Sequence, residues 1–148
     1  MDNIQNYING QFVNPINNKW IDNYNPSNGE IYSQIPNSSK EDVEVAYIAA
    51  KSAFPKWSQT TLEERSRIML KISELLEKNL QRLAEAESKD NGKPLWLAAA
   101  VDIPRAARNF RFFAHAITQF ASESHESVGD DAMNYTLRQP IGVVGCIS

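Results

Sequence analysis

Pro140-Ile141-Gly142-Val143-Val144-Gly145-Cys146-Ile147-Ser148 closes the sequence as a short apolar run rich in Val and Ile, introduced by Pro and punctuated by Gly. This is the composition of a strand covered on both faces, as in the middle of a parallel sheet. Such a strand needs a partner on each edge. The residues before it supply helices but few partner strands, so the chain is expected to be the front part of a larger α/β protein.

Working back from this run, Met133 to Gln139 alternates, with Tyr135 and Leu137 on one face, and reads as a further strand. Ala121 to Ala132 is dominated by Ser, Glu, Asp and Gly and reads as an exposed loop. A helical stretch is expected from about Leu95 to Phe120, kinked or restarted at Pro104, with Phe110, Phe113, Ile117 and Phe120 as its buried edge. Thr61-Leu62-Glu63-Glu64 fits a capping box. It opens a helix whose apolar stripe includes Ile68, Met69, Ile72, Leu75, Leu76, Leu80 and Leu83. Asn91-Gly92-Lys93-Pro94 stops that helix with a glycine suited to the left-handed conformation. Ser38-Ser39-Lys40-Glu41 predicts another capped start, followed by Val43, Ala46, Tyr47, Ala50, Ala53 and Phe54 on one face and a stop at Pro55.

The first segment reads as a small antiparallel arm. Tyr7-Ile8 and Gln11-Phe12-Val13 flank Asn9-Gly10, the dipeptide best suited to a type I′ turn. Trp20 to Tyr24 and Glu30 to Ile35 are further extended stretches, separated by Asn25-Pro26 and a turn at Ser27-Asn28-Gly29. The divisions expected are an arm at 6–36, a helical region at 38–121, a loop and strand at 122–139, and the terminal strand at 140–148.

Composition bounds the function classes. The 148 residues are 42% hydrophobic and 22% charged, as in a globular protein, and the net charge of -3 argues against a nucleic-acid or membrane-surface partner. A single cysteine rules out an internal disulfide framework and a cysteine-based zinc site. The N-terminus is polar, with no secretory apolar region, and no stretch is long and apolar enough to span a bilayer, so a reducing cytoplasm is the expected compartment.

The residues name no catalytic group by themselves. Cys146, the only thiol, reads as a small apolar residue inside a buried strand, with no histidine near it in sequence. His115 sits among Phe112, Phe113 and Ile117 and reads as packing; His125 lies in the acidic loop without metal-ligand spacing. Arg105, Arg108 and Arg111 recur at helical spacing, which usually means a solvated face or surface ion pairs. Gly142 and Gly145 fall short of a dinucleotide fingerprint, and Lys93 is not preceded by a phosphate-binding loop.

An ordered set of segments carries a resemblance. It runs through Asn6-Tyr7-Ile8-Asn9-Gly10-Gln11-Phe12, Asn25-Pro26-Ser27-Asn28-Gly29-Glu30, Ala49 to Trp57 and Glu63-Glu64-Arg65. It continues through Asp90-Asn91-Gly92-Lys93-Pro94 and Gln139 to Gly145. In order and spacing, this set resembles the N-terminal portion of the NAD(P)-dependent aldehyde dehydrogenase superfamily. Asp102-Ile103-Pro104-Arg105 and Asn109 to Ala114 look most like the branch acting on 2-aminomuconate or 2-hydroxymuconate semialdehyde.

The resemblance implies that a complete protein oxidises an aldehyde to a carboxylic acid with NAD or NADP. A cysteine thiolate attacks the carbonyl, hydride passes to the cofactor, and glutamate-activated water releases the acid. No position here matches that cysteine or glutamate, so catalytic residues are none and Cys146 is not the nucleophile. The run at 140–148 would be the first strand of the nucleotide-binding fold, with Ile147 and Ser148 as the candidate NAD contacts. Asn23, Tyr24 and Asp102 align with positions that in some members help bind Na, K or Mg through carbonyl and carboxylate oxygens. Met133 to Gln139 would belong to an oligomerisation sheet of a homodimer or homotetramer. The alternative is a non-catalytic truncated product or interaction fragment, and the chain alone is expected to be inactive and marginally stable.

Overall fold

A computed structural model describes residues 2–129 and 131–147. Five short strands form the arm: β1 (Asp2–Asn3), β2 (Asn6–Ile8), β3 (Gln11–Val13), β4 (Trp20–Tyr24) and β5 (Ile31–Pro36). β2 and β3 make a hairpin in the register Tyr7↔Phe12 and Ile8↔Gln11, and Asn9 (φ 51°) and Gly10 (φ 80°) both take the positive φ of a type I′ turn. The second sheet has the order β1-β5-β4, in which β1 runs parallel to β5. The arm is therefore not purely antiparallel. The polar residues Asp2 and Asn3 gave no strand signal; their backbone completes the edge of β5.

Helix α1 (Lys40–Ser58) starts one residue later than the first capping box suggested. Ser39 is its N-cap, and the carboxylate that serves the cap is Asp42, which accepts from the Ser39 N–H at 2.8 Å and from the Ile16 N–H at 2.9 Å. Asp42 thus holds the start of the helix to the arm, and its residue is only 4% exposed. Pro55 does not end the helix, which continues to Ser58. So near the C-terminus, a proline forfeits one intrahelical bond rather than a whole ladder.

The second predicted helix is two. α2 (Leu62–Lys78) and α3 (Leu80–Asn91) meet at Asn79, which ends one and begins the other, its Nδ2 donating to the Leu75 carbonyl at 2.8 Å. Thr61 caps α2 by accepting from the Glu64 N–H at 3.1 Å. Gly92 closes α3 at φ 76°. A single turn, α4 (Leu95–Leu97), leads into a π-helical turn at Ala98–Asp102 and then α5 (Ile103–Ala116). The wider turn lets the chain pass Pro104 without a break, since Pro104 lies in the first turn of α5, where no intrahelical N–H is needed.

The most extensive helix contact is α2 against α5. Its fully enclosed side chains are small. Among the described residues, Ser73 on α2 and Ala107 and Ala114 on α5 are at 0% exposure, as are Ala84 on α3 and Ala98 in the π turn, and Ser73 Oγ donates to the Ala107 carbonyl at 2.8 Å. Larger apolar residues such as Met69, Ile72 and Leu76 are half-buried. Phe110 and Phe113 on α5 and Phe120 beyond its end are exposed rather than buried, as is His115, and Ile117 is half-buried; among the described residues no element covers that side of α5. The apolar stripe of α1 is open too: Val43 is 64% exposed, and Ala46, Tyr47, Ala50 and Ala53 all face solvent. Helical period marks the face that can be covered, not a face that is covered.

The end of the chain departs furthest from expectation. The polar stretch read as a loop contains a strand, β6 (Ser124–Ser127), paired antiparallel with β7 (Ala132–Tyr135) from Ser124↔Tyr135 to Ser127↔Ala132. The strand expected at Met133 to Gln139 is thus shorter and starts one residue earlier. Residues 136–147 have no regular secondary structure, so the terminal strand does not form here. A strand exists only as a ladder, and among the described residues nothing pairs with this run. For the same reason Cys146 is exposed, not buried.

Candidate functional site

The polar groups concentrate where the β4–β5 sheet meets α3 and the π turn. Asn23 on β4 directs its amide across the sheet. Nδ2 donates to Tyr32 Oη at 2.8 Å, Ser33 Oγ at 3.2 Å and Asp90 Oδ1 at 3.2 Å. The Tyr32 hydroxyl also donates to Asp90 Oδ1, and Lys89 Nζ stands 4.7 Å over the Tyr32 ring. Two donors hold the Asp90 carboxyl below the ordinary carboxylate range, first Tyr32 and then Asn23. Burial, followed by the bonded Asp90, pushes the Tyr32 phenol up.

A second cluster lies close in sequence. Lys93 Nζ donates to Asp102 Oδ2 at 2.7 Å and to Glu87 Oε1 at 2.9 Å. The bond to Asp102, then that to Glu87, holds the ammonium above its ordinary value. Gly92 turns the chain so that Lys93 can bridge α3 and the π turn. Sequence reasoning missed both clusters: their partners lie on different elements, and only Asn91-Gly92-Lys93 hinted that a side chain would be turned back.

Asn23, Tyr24 and Asp102 share no side-chain hydrogen bond among the described residues. Asn23 bonds to Asp90, not Asp102. Tyr24 is exposed, at a slip in the β4–β5 register between Asn23 and Tyr24. Asp102 already faces the Lys93 ammonium, which supplies the positive charge a metal ion would bring. The Asp102 carboxylate is thus engaged in this arrangement, and among the described residues no group of three or more His, Cys, Asp or Glu side chains forms a metal-binding cluster. Ile147 is fully solvent-exposed and lines no cleft; Ser148 lies outside the described residues. Of the three arginines, Arg111 pairs with Glu77, its Nη2 at 2.8 Å from both carboxylate oxygens, an exposed pair of little energetic weight. His125 stands exposed on β6.

The depressed carboxylates give a pH prediction. Asp42 is held down by the Ser39 and Ile16 backbone N–H groups, and Asp90 by Tyr32 and Asn23. Folded values below the unfolded ones stabilise the fold fully above the unfolded carboxylate range and lose that stabilisation as pH falls through the folded values. The urea midpoint is expected to stay flat from neutrality to about pH 5 and to fall below it. Asp42→Asn should flatten part of that acid slope; an unchanged slope would remove Asp42 from the account.

Comparison with known proteins places this geometry. The model of the aldehyde dehydrogenase family matches residues 12–148. The chain is 46% identical over 145 residues to the 2-aminomuconic semialdehyde dehydrogenase of Homo sapiens, covering 98% of this chain and 29% of that protein. It is 43% identical over 143 residues to an aldehyde dehydrogenase of Deinococcus radiodurans, covering 96% and 27%. The NAD+ complex of an aldehyde dehydrogenase from Bacillus cereus superposes with a TM-score of 0.83 at 32% identity, over 90% of this chain and 28% of that one. The chain thus spans under a third of the length of the curated relatives it matches. No helix among the described residues is long and apolar enough to cross a membrane.

Proposed function

The chain belongs to the aldehyde dehydrogenase family, and from that premise we propose that it supplies the arm, the helical layer and one edge of the cofactor cleft of an NAD(P)-dependent enzyme oxidising an aldehyde to a carboxylic acid. The observation that carries this reading is the mismatch between core and surface. Among the described residues, the side chains that α2 and α5 enclose fully are small, while Val43 and Tyr47 lie open on α1 and Phe112 and Phe113 on α5. A layer so poor in enclosed volume and so rich in exposed apolar faces is suited to being covered by further protein.

The substrate proposed is a muconic semialdehyde, 2-aminomuconate or 2-hydroxymuconate semialdehyde, supported by the identity to the human 2-aminomuconic semialdehyde dehydrogenase. NAD is the proposed cofactor, with NADP as the other nicotinamide form, and Ile147 and Ser148 the proposed contacts once the run at 140–148 is paired into a sheet. A cation at Asn23, Tyr24 and Asp102 belongs to the proposal only in exchange for the Lys93 ammonium now on Asp102. Assembly of the complete enzyme as a homodimer or homotetramer would use the strand that begins at β7, and its proposed compartment is the cytoplasm.

The described residues bring no histidine or carboxylate onto the exposed Cys146 thiol, so the chain by itself is expected to be inactive. The test compares the purified 148-residue chain with the product of the whole gene, each given aldehyde and NAD. Aldehyde-dependent NADH from the whole product alone is the expected result. NADH from the 148-residue chain would overturn the supporting role. A gene that stops at Ser148 would favour a non-catalytic interaction fragment.

A further inference from the structure

Three Asn-Gly dipeptides occur in the sequence, at Asn9-Gly10, Asn28-Gly29 and Asn91-Gly92. In such a pair, the main-chain nitrogen of glycine can attack the side-chain amide carbon of asparagine, because no Cβ obstructs the approach. A bond forms between Gly N and Asn Cγ, the Cγ–Nδ2 bond breaks, and ammonia leaves. Water then opens the resulting succinimide at either carbonyl, giving aspartate or isoaspartate. The net change is amide plus water to carboxylate plus ammonium, with no oxidant or reductant required.

The fold treats the three pairs differently. At Asn28-Gly29 the nucleophile is engaged, since the Gly29 N–H donates to the Asn25 carbonyl at 2.8 Å. The Asn28 amide is clamped as well: Oδ1 accepts from the Glu30 N–H at 3.0 Å and Nδ2 donates to Glu30 Oε2 at 3.0 Å. At Asn91-Gly92 the Gly92 N–H donates to the Ser88 carbonyl at 2.9 Å. There the Asn91 side chain is fixed by the Lys93 N–H at 3.0 Å and by Glu87 at 2.6 Å.

Asn9-Gly10 has none of these restraints. The ladder pairs Ile8 with Gln11 and passes over the turn, so among the described residues neither the Gly10 N–H nor the Asn9 side chain has a hydrogen-bond partner. Both residues are exposed. The hairpin behind them is three residues a side, and so short a ladder opens locally at little cost.

We propose that Asn9-Gly10 is a site of spontaneous deamidation and isoaspartate formation, while the fold protects Asn28 and Asn91. Isoaspartate would route the main chain through Cβ and Cγ, adding a methylene to a two-residue turn that has no room for it. The Tyr7↔Phe12 register, with the rings 5.1 Å apart, would be lost with it.

The test incubates the full 148-residue chain, native and in denaturant, in mildly alkaline buffer, and maps its peptides by mass spectrometry. Each event adds about one mass unit, an amide replaced by a carboxylate. Methyl transfer by an isoaspartyl-directed carboxyl methyltransferase reports the rearranged product. In the native chain the Asn9 peptide is expected to convert several-fold faster than the other two, and the three rates should converge in denaturant. Native conversion at equal rates, conversion of Asn28 or Asn91 first, or an Asn9 that converts only in denaturant would each overturn the proposal. Asn9→Gln should abolish methyl uptake assigned to that peptide; uptake that persists would overturn it too.

Discussion

Replacing Ala107 with leucine is expected to cost about 3 kcal/mol of unfolding free energy, the upper range for adding methylenes to a filled interior. Ala107 faces α2 with no exposure, and its carbonyl accepts the Ser73 hydroxyl at 2.8 Å. A leucine there must push the helices apart, which also breaks that bond and leaves the buried Ser73 hydroxyl unpaired. Urea unfolding followed by far-ultraviolet circular dichroism reads the loss. Phe112→Ala is the control: Phe112 lies on the same helix but is 66% exposed, so its removal should cost about half a kcal/mol or less. If the larger deletion at Phe112 cost more than the insertion at Ala107, the seam would not be what holds the helices together.

Gly92→Val is expected to destabilise by about 2–3 kcal/mol, from placing a β-branched residue in the left-handed region and from crowding its neighbour. Gly92 sits at φ 76°, and a Cβ added there would stand 3.1 Å from Pro26 Cβ and 3.3 Å from the Ser27 nitrogen. The arm therefore rests on the end of α3 at a spot where an added Cβ makes Pro26 and Ser27 give way by a few tenths of an ångström. Gly29→Val makes the comparison, since Gly29 has φ 75° but nothing within 4 Å of the added Cβ. The difference between the two variants reads the contact, and equal losses would assign the whole effect to backbone conformation.

How much of this was legible depended on where each cause lay. The Asn9-Gly10 turn and the left-handed stop at Gly92 were readable because their reasons are local, a positive φ that the dipeptide itself favours. The division at Asn79 was not, because the apolar spacing from Ile68 to Leu83 runs through it without a fault. β6 escaped notice because Ser124-His125-Glu126-Ser127 has no apolar alternation; its backbone pairs with β7 regardless of side chains. The run at Pro140 to Ile147 has the composition of a strand, but composition supplies no partner. Among the candidate site residues, Asp102 was singled out while its ion partner Lys93 was set aside, since a tertiary bridge leaves no mark in local spacing.

The α2–α5 seam has a consequence for what the layer can recognise. Two helices whose fully enclosed side chains are alanines and a serine lie close together, and bulky residues such as Phe112 and Phe113 stand on the outside of the pair. Such a pair acts like one ply of a laminate: it carries its adhesive on its outer surfaces and sets the thickness of whatever is bonded to it. Selection at the seam is therefore by exclusion, with volume admitted on the outer faces and refused at the join.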